Sequence, residues 1–342
     1  MAGQPVQKWV DTYPSKSYNN NTFNPVNFTG AVKQMDDFPQ RVVIEEQGLR
    51  DGLQSEKTFV PTEKKLELID AVVAAGVKRV QVTSFVNPKV IPQMADAEQV
   101  CAGLKPQPGV IFSGLVLNTK GVERAAAAGL THVSASISAS DTHSRKNANA
   151  SLKEARKRFA DMVRTGKQNG LTVRGGLQCV FGCRFEGAVD PNVVFDVVKE
   201  QLDLGIDEIA LADSTGMANP RAIREICAEV VELANGATVL LHLHDTEGKG
   251  IANAMAALQV GVNHFDTAFG GMGGCPFIKG ASGNIATEDL ACMLAQMGIA
   301  TGIDVDKIAA ISRSLEVFFG KQFSGKMHRV LARDDIKVLR TA

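Results

Sequence analysis

The 342-residue chain lacks an excess of either charge: Lys+Arg and Asp+Glu are both 37, so its formal net charge is zero. A basic excess draws proteins to nucleic acid or anionic membranes, and its absence argues against both partners. No stretch approaches the ~18 consecutive apolar residues of a membrane helix. Met1 to Pro14 lack a charged segment followed by an apolar one, which argues against a secretory signal. Residues 1–40 are neither Arg-rich nor free of acids (Asp11, Asp36, Asp37), which argues against a transit peptide. The six cysteines, scattered from Cys101 to Cys292, do not form the dense pattern of a disulfide scaffold. The expected compartment is the reducing cytoplasm. At 44% hydrophobic and 22% charged residues, the composition is that of an ordinary globular protein.

Residues 1–40 carry the only Trp, the run Asn19-Asn20-Asn21 and no sustained periodicity. They are expected to form an N-terminal arm on the surface or across a neighbouring subunit. From Arg41 onward, short β-branched runs alternate with amphipathic segments. The strand candidates are 42–46, 79–84, 110–117, 132–138, 173–180, 208–212, 238–244 and 264–267. Helices are expected at 62–75, 95–104, 120–128, 152–169, 191–204, 220–234, 251–260 and 288–297, several of them followed by a glycine suited to a left-handed cap (Gly76, Gly129, Gly205, Gly261). Eight strand–helix units predict a (β/α)8 TIM barrel over 41–330, with 331–342 as a C-terminal tail. A doubly wound sheet would carry a Gly-rich phosphate turn after strand one, where this chain has Gln47-Gly48-Leu49-Arg50-Asp51-Gly52.

Functional side chains of such a barrel cluster at the C-terminal ends of its strands. His242 and His244 share one face there, since strand side chains alternate, and can reach one metal ion. Asp51 after strand one supplies a carboxylate at the same rim. Two His and one carboxylate leave coordination positions open for a chelating substrate, which suits Mg2+, Mn2+ or non-haem iron. Six glycines in residues 270–283 predict a mobile loop carrying Cys275 as an exposed thiol for proton transfer or attack. Gln54, Ser84, Asn118, Ser138, Gln178, Asp213 and Ser214 sit at strand ends as candidate pocket residues, Gln54, Ser84 and Ser214 being expected to bind substrate. Cys179 and Cys183 are expected to be structural, and Cys101, Cys227 and Cys292 to be buried on helices.

Arg50-Asp51-Gly52-Leu53-Gln54, Thr83-Ser84-Phe85-Val86, Pro92-Gln93-Met94, His242-Leu243-His244-Asp245-Thr246 and the segment from Gly273-Gly274-Cys275-Pro276 to Gly280-Ala281-Ser282-Gly283-Asn284 together resemble the 3-hydroxy-3-methylglutaryl-CoA lyase family. The likeness runs from about Val42 to Val330. It implies a divalent metal held by Asp51, His242, His244 and Asn284, with Arg50 and Cys275 as the main catalytic side chains. The implied reaction is cleavage of 3-hydroxy-3-methylglutaryl-CoA, or a close 3-hydroxy-3-carboxyalkyl thioester, to acetyl-CoA and acetoacetate or the matching 3-oxo acid. Arg50 would stabilise the developing oxyanion and Cys275 would protonate the enolate carbon. Asp213, or a His ligand acting through water, would be the base. Gln81 stands where the family places a Glu, Leu49 where it places a Pro, and Glu46 is a supporting position beside the site. Two alternatives stay open: a Claisen-type synthase joining acetyl-CoA to a 2-oxo acid, and a non-catalytic metal-binding barrel. A homodimer is the expected assembly.

Overall fold

The computed structural model describes residues 38–274 and 282–332. Most of the arm, the Cys275 position and most of the tail lie outside the described residues. The strands are β1 (Val43–Glu46), β2 (Arg79–Ser84), β3 (Ile111–Val116), β4 (His132–Ala135), β5 (Ile137–Ser138), β6 (Thr172–Gln178), β7 (Glu208–Asp213), β8 (Thr238–Leu243) and β9 (His264–Thr267). All pairings between them are parallel, and β1 pairs with both β2 and β9, so the sheet closes on itself. Both β4 and β5 pair with β6, which makes them one barrel position interrupted at Ser136. The expected eight-stranded TIM barrel is what forms.

Around it run α1 (Thr62–Ala74), α2 (Ala97–Ala102), α3 (Thr119–Ala127), α4 (Asp141–Ala148), α5 (Leu152–Gln168), α6 (Pro191–Asp203), α7 (Pro220–Ala234), α8 (Gly250–Leu258), α9 (Thr287–Gln296) and α10 (Val305–Phe319). Local chemistry sets several boundaries. Ser151 and Glu154 form a capping box at α5, and the Asn219 side chain accepts two backbone N–H bonds ahead of Pro220. Gly76 has φ +96, and a Cβ there would come within 2.1 Å of the Gly302 carbonyl oxygen, so it serves both the cap and a close approach. Two helices are additions to the expected set. The α4 segment has no apolar stripe and is defined instead by its Ser140 cap and by Asn149 in left-handed conformation. The α10 helix follows the eighth unit, beyond the last expected helix.

Helices bury apolar faces such as Ile69 and Val72 of α1 or Ile223, Cys227 and Val230 of α7 against the barrel's outer surface. The inner surface departs from the usual filling of branched aliphatics. Arg79 donates to both oxygens of Glu208 (2.8 and 2.6 Å) and to Glu45 (3.0 Å). Arg174 donates to Glu45 (3.0 Å) and to both oxygens of Asp266 (3.0 and 2.8 Å), while Ser113 donates to Glu45. Charges are costly to bury, and mutual pairing, which leaves only Arg174 Nε of these groups without a partner among the described residues, is what makes such a chain tolerable. It ends at Asp266, beside His242.

Candidate active site

After β1 the backbone makes one turn of π-helix over Gly48–Gly52, with the N–H groups of Arg50, Asp51 and Gly52 all donating to the Gln47 carbonyl (3.0, 2.8 and 3.2 Å). Gly48 is obligatory, because a Cβ there would lie 2.5 Å from the Phe269 ring. Fully buried Glu46 fastens this turn to the glycine-rich segment after β9, accepting from Gly48 N (2.7 Å) and Phe269 N (3.0 Å) through one oxygen and from Thr287 Oγ1 (2.6 Å) through the other. Burial pushes the Glu46 pKa up to about 8 despite these donors. Two loops from opposite ends of the sequence are thereby locked side by side.

The turn aims Asp51 at the end of β8. Asp51 Oδ2 lies 3.5 Å from His244 Nε2 and 3.8 Å from His242 Nε2, and the two Nε2 atoms are 3.2 Å apart. An antiparallel bridge brings Asn284 beside His244. Its Nδ2 spends both hydrogens, on Asp51 Oδ2 (2.6 Å) and the Met272 carbonyl (3.0 Å), while its buried Oδ1 has no partner among the described residues. Three ligand atoms, Asp51 Oδ2 and the two imidazole Nε2, thus lie within 4.8 Å of one another beside the unpartnered Asn284 Oδ1, an arrangement that a shared cation resolves. Burial opposes the charge on Asp51, yet Arg50 and the two imidazoles hold its carboxyl well below the usual range, so it is ionised and ready to ligate. His242 Nδ1 lies 3.2 Å from Asp266 Oδ2, which assigns the proton to Nδ1 and leaves the Nε2 lone pair facing the centre. Burial pulls the His242 pKa down, favouring the neutral ligating form.

Arg50 is buried with all three nitrogens engaged: Nε on Gln81 Oε1 (2.5 Å), Nη1 on Asp51 Oδ1 (2.5 Å) and Nη2 on Gln47 Oε1 (3.0 Å). Gln81 is oriented in turn by donating to Ser134 Oγ (3.0 Å). Two of the three acceptors are neutral amides, so the guanidinium keeps charge to offer an incoming anion.

These groups open on a cavity of about 420 Å³. Arg50, Asp51, His242, His244, Gln54, Gln81, Asn118, Gln178 and Ser214 all line it. Cys275 lies outside the described residues, and its neighbour Gly274 is in the lining. Three expected pocket residues are elsewhere. Ser84 is fully buried and does not line the cavity, and the Ser138 oxygen accepts from Ser140 N within a turn. Asp213 is not in the lining either: its oxygens accept from Met217 N (3.1 Å) and Ala218 N (3.0 Å), which shapes the loop carrying Ser214. Its pKa is raised by burial. Of the glycines in the expected mobile loop, Gly270, Gly271, Gly273 and Gly283 are closely packed and Gly274 makes only ordinary contact with Ser55, while Gly280 lies outside the described residues. A Cβ on Gly270 (φ +66) would lie 2.5 Å from the Phe323 ring, and one on Gly273 (φ +119) would lie 2.6 Å from Asn284 Nδ2. Cys179, Cys183, Cys101 and Cys227 are buried, but Cys292 is only partly so.

Sequence reasoning passed over Asp266, Arg174, Gln47 and Ser134. The available signal was charge at inward positions of strands, as in Arg174 of β6 and Asp266 of β9, where a packed barrel would place aliphatics.

The HMGL-like family model matches residues 41–315. The mitochondrial hydroxymethylglutaryl-CoA lyase of Bos taurus is 43% identical over 271 residues, 79% of this chain and 83% of that protein. The cytoplasmic 3-hydroxy-3-methylglutaryl-CoA lyase of Danio rerio is 43% identical over 79% of this chain and 81% of that protein. Among solved structures, an HMG-CoA lyase from Acinetobacter baumannii in complex with coenzyme A and 3-methylmalate superposes with a TM-score of 0.82 at 40% identity, covering 85% of this chain and 95% of that one. The Bacillus subtilis HMG-CoA lyase gives 0.83 at 37% identity, with 86% and 99% coverage. A barrel whose metal-ligand geometry sits at the mouth of a cavity, together with these likenesses, establishes that the chain belongs to the HMGL-like family, a carbon–carbon lyase among the hydroxymethylglutaryl-CoA lyases.

Proposed function

We propose that the protein cleaves 3-hydroxy-3-methylglutaryl-CoA, or a close 3-hydroxy-3-carboxyalkyl thioester, to acetyl-CoA and acetoacetate or the matching 3-oxo acid. The observation that carries this reading is the convergence of His242 Nε2, His244 Nε2 and Asp51 Oδ2 beside the unpartnered Asn284 Oδ1, all next to Arg50. Those four side chains would hold Mg2+ or Mn2+, the ions suited to a set completed by substrate oxygens. When bound, the ion would supply Lewis-acid polarisation of the tertiary hydroxyl and the free carboxylate.

Arg50, locked by Gln81, Asp51 and Gln47, offers a fixed guanidinium to the oxyanion that develops as the C–C bond breaks. Cleavage leaves the electron pair on the thioester enolate, and Cys275, the residue after cavity-lining Gly274, would return a proton to its carbon. Removal of the hydroxyl proton falls to a group in the cavity, because the Asp213 oxygens are engaged by backbone donors. Gln54 and Ser214 are proposed to contact substrate. The cytoplasm and a homodimer are proposed as setting and assembly, the first supported by Cys101, Cys183, Cys227 and Cys292, which form no disulfide, and the second by the prevalence of two-fold oligomers. No helix among the described residues is long and apolar enough to cross a membrane.

The test is a coupled assay of acetyl-CoA release from a panel of 3-hydroxy-3-carboxyalkyl-CoA thioesters after chelation, with Mg2+ or Mn2+ restored. Metal-dependent release is expected, lost in Cys275→Ala. Thiol release from acetyl-CoA that requires an added 2-oxo acid would replace the lyase reading with a synthase.

A further inference from the structure

One fully buried titratable group is unused by the chemistry above. His328, near the end of the described chain, donates or accepts at both ring nitrogens: Nδ1 lies 3.0 Å from Glu288 Oε1 and Nε2 lies 3.0 Å from Glu316 Oε1. Two carboxylates facing the two nitrogens call for an imidazolium. Burial works against that charge, but the two glutamates outweigh it and raise the His328 pKa. Glu288 at the start of α9 also accepts from Gly270 N with both oxygens (3.1 Å each), and Glu316 of α10 accepts from Phe323 N (2.7 Å).

The segment that His328 anchors grips the root of the glycine-rich segment. Gly325 N donates to the Gly270 carbonyl (2.8 Å), and Ser324 Oγ donates to the Gly271 carbonyl (3.0 Å). The Phe323 ring fills the space that a side chain at Gly270 would need. One residue further on, the Met272 carbonyl accepts from Asn284 Nδ2, whose other hydrogen goes to Asp51 Oδ2. We propose that His328 is a positioning residue: by joining Glu288 to Glu316 it clamps residues 323–328 onto Gly270–Gly271 and so fixes the Met272 carbonyl that orients the Asn284 ligand. Metal affinity therefore depends on a residue that touches no ligand.

This inference rests on the metal reading of Asp51, His242, His244 and Asn284, and the experiment separates the two. Mn2+ binding to the whole protein is followed by electron paramagnetic resonance for the parent, His328→Ala, Glu316→Gln and a control, Val230→Ala, which loosens α7 far from the clamp. The expected result is about tenfold weaker Mn2+ binding in His328→Ala, at the low end of losses seen for outer partners of metal ligands. Glu316→Gln should lose less, since its amide oxygen still accepts from His328 while one anion is gone. Val230→Ala should melt lower with unchanged Mn2+ affinity. If His328→Ala fails to fold, Glu316→Gln carries the test. Mn2+ affinity within twofold of the parent in both clamp variants overturns the proposal, and absence of binding in the parent overturns the metal reading instead.

Discussion

His242 can present Nε2 to a metal only if its other nitrogen keeps the proton, and Asp266 makes that choice because Arg174 holds its carboxylate with two parallel bonds. Burial opposes the Asp266 charge, but Arg174 and His242 keep its pKa well below the usual range. Asp266→Asn can turn its amide nitrogen toward His242 and reverse the tautomer, so Mn2+ affinity should fall about 10- to 100-fold in a titration monitored by electron paramagnetic resonance. Arg50→Lys keeps the charge but cannot reproduce three directed bonds to Gln81, Asp51 and Gln47. It should cost about 10²–10³ in kcat, the scale of a lost oxyanion donor, with little change in melting temperature. Asp213→Asn tests a different assignment. An amide facing Met217 N and Ala218 N loses one of two acceptors, so activity and thermal stability should fall together. An unchanged melting temperature with a shifted pH–rate profile would restore Asp213 as the base.

At the scale of elements, Glu46 is the clamp between the π-turn after β1 and the segment after β9. Protonated Glu46 can donate to Thr287 Oγ1, which then donates to Thr267 Oγ1 2.6 Å away, so the neutral acid completes the network. Its folded pKa of about 8 lies above the ordinary glutamate value of 4.5. The folded state therefore binds the extra proton between these values. The stabilising contribution is full below about pH 4.5 and is lost as pH rises through about 8, by at most ~1.4 kcal/mol per pH unit. Urea unfolding at pH 5.5 and 8.5 should show the parent losing more stability than Glu46→Gln, whose amide mimics the neutral acid. Equal losses in the two proteins would remove Glu46 as the titrating group. The sequence shows Arg50 and Asp51 at a strand end with Glu46 as a supporting position, but not this clamp, because its partners Phe269 and Thr287 lie more than 220 residues away. The polar helix α4 escaped for a different reason: its limits are set by caps rather than by an apolar period.

For the molecule as a whole, strand–helix alternation made the barrel legible, and the rule that function gathers at strand ends made Asp51, His242 and His244 legible. Contacts between distant strands were not: Glu45 meets Arg174 across 129 residues, and Asn284 meets Asp51 across 233. The same long separations give the metal site a global consequence. The four side chains proposed to hold the ion come from the turn after β1, the end of β8 and the return of the chain after the glycine-rich segment, so a bound ion would cross-link the first and last quarters of the barrel. Unfolding scatters these ligands, and binding must then stabilise the native state by RT ln(1 + [L]/Kd), about 2.7 kcal/mol at a hundredfold excess over Kd. For a chain of 342 residues, with an unfolding entropy of about 2.1 cal/mol/K per residue, that amounts to a rise in melting temperature of roughly 4 °C. Calorimetric scans of chelated protein with increasing Mn2+ should show the rise growing with the logarithm of concentration. It should shrink as the pH falls, because binding a cation to such ligands displaces protons. His244→Ala should abolish it, and a metal-dependent rise that survives in that variant would place the stabilising ion elsewhere.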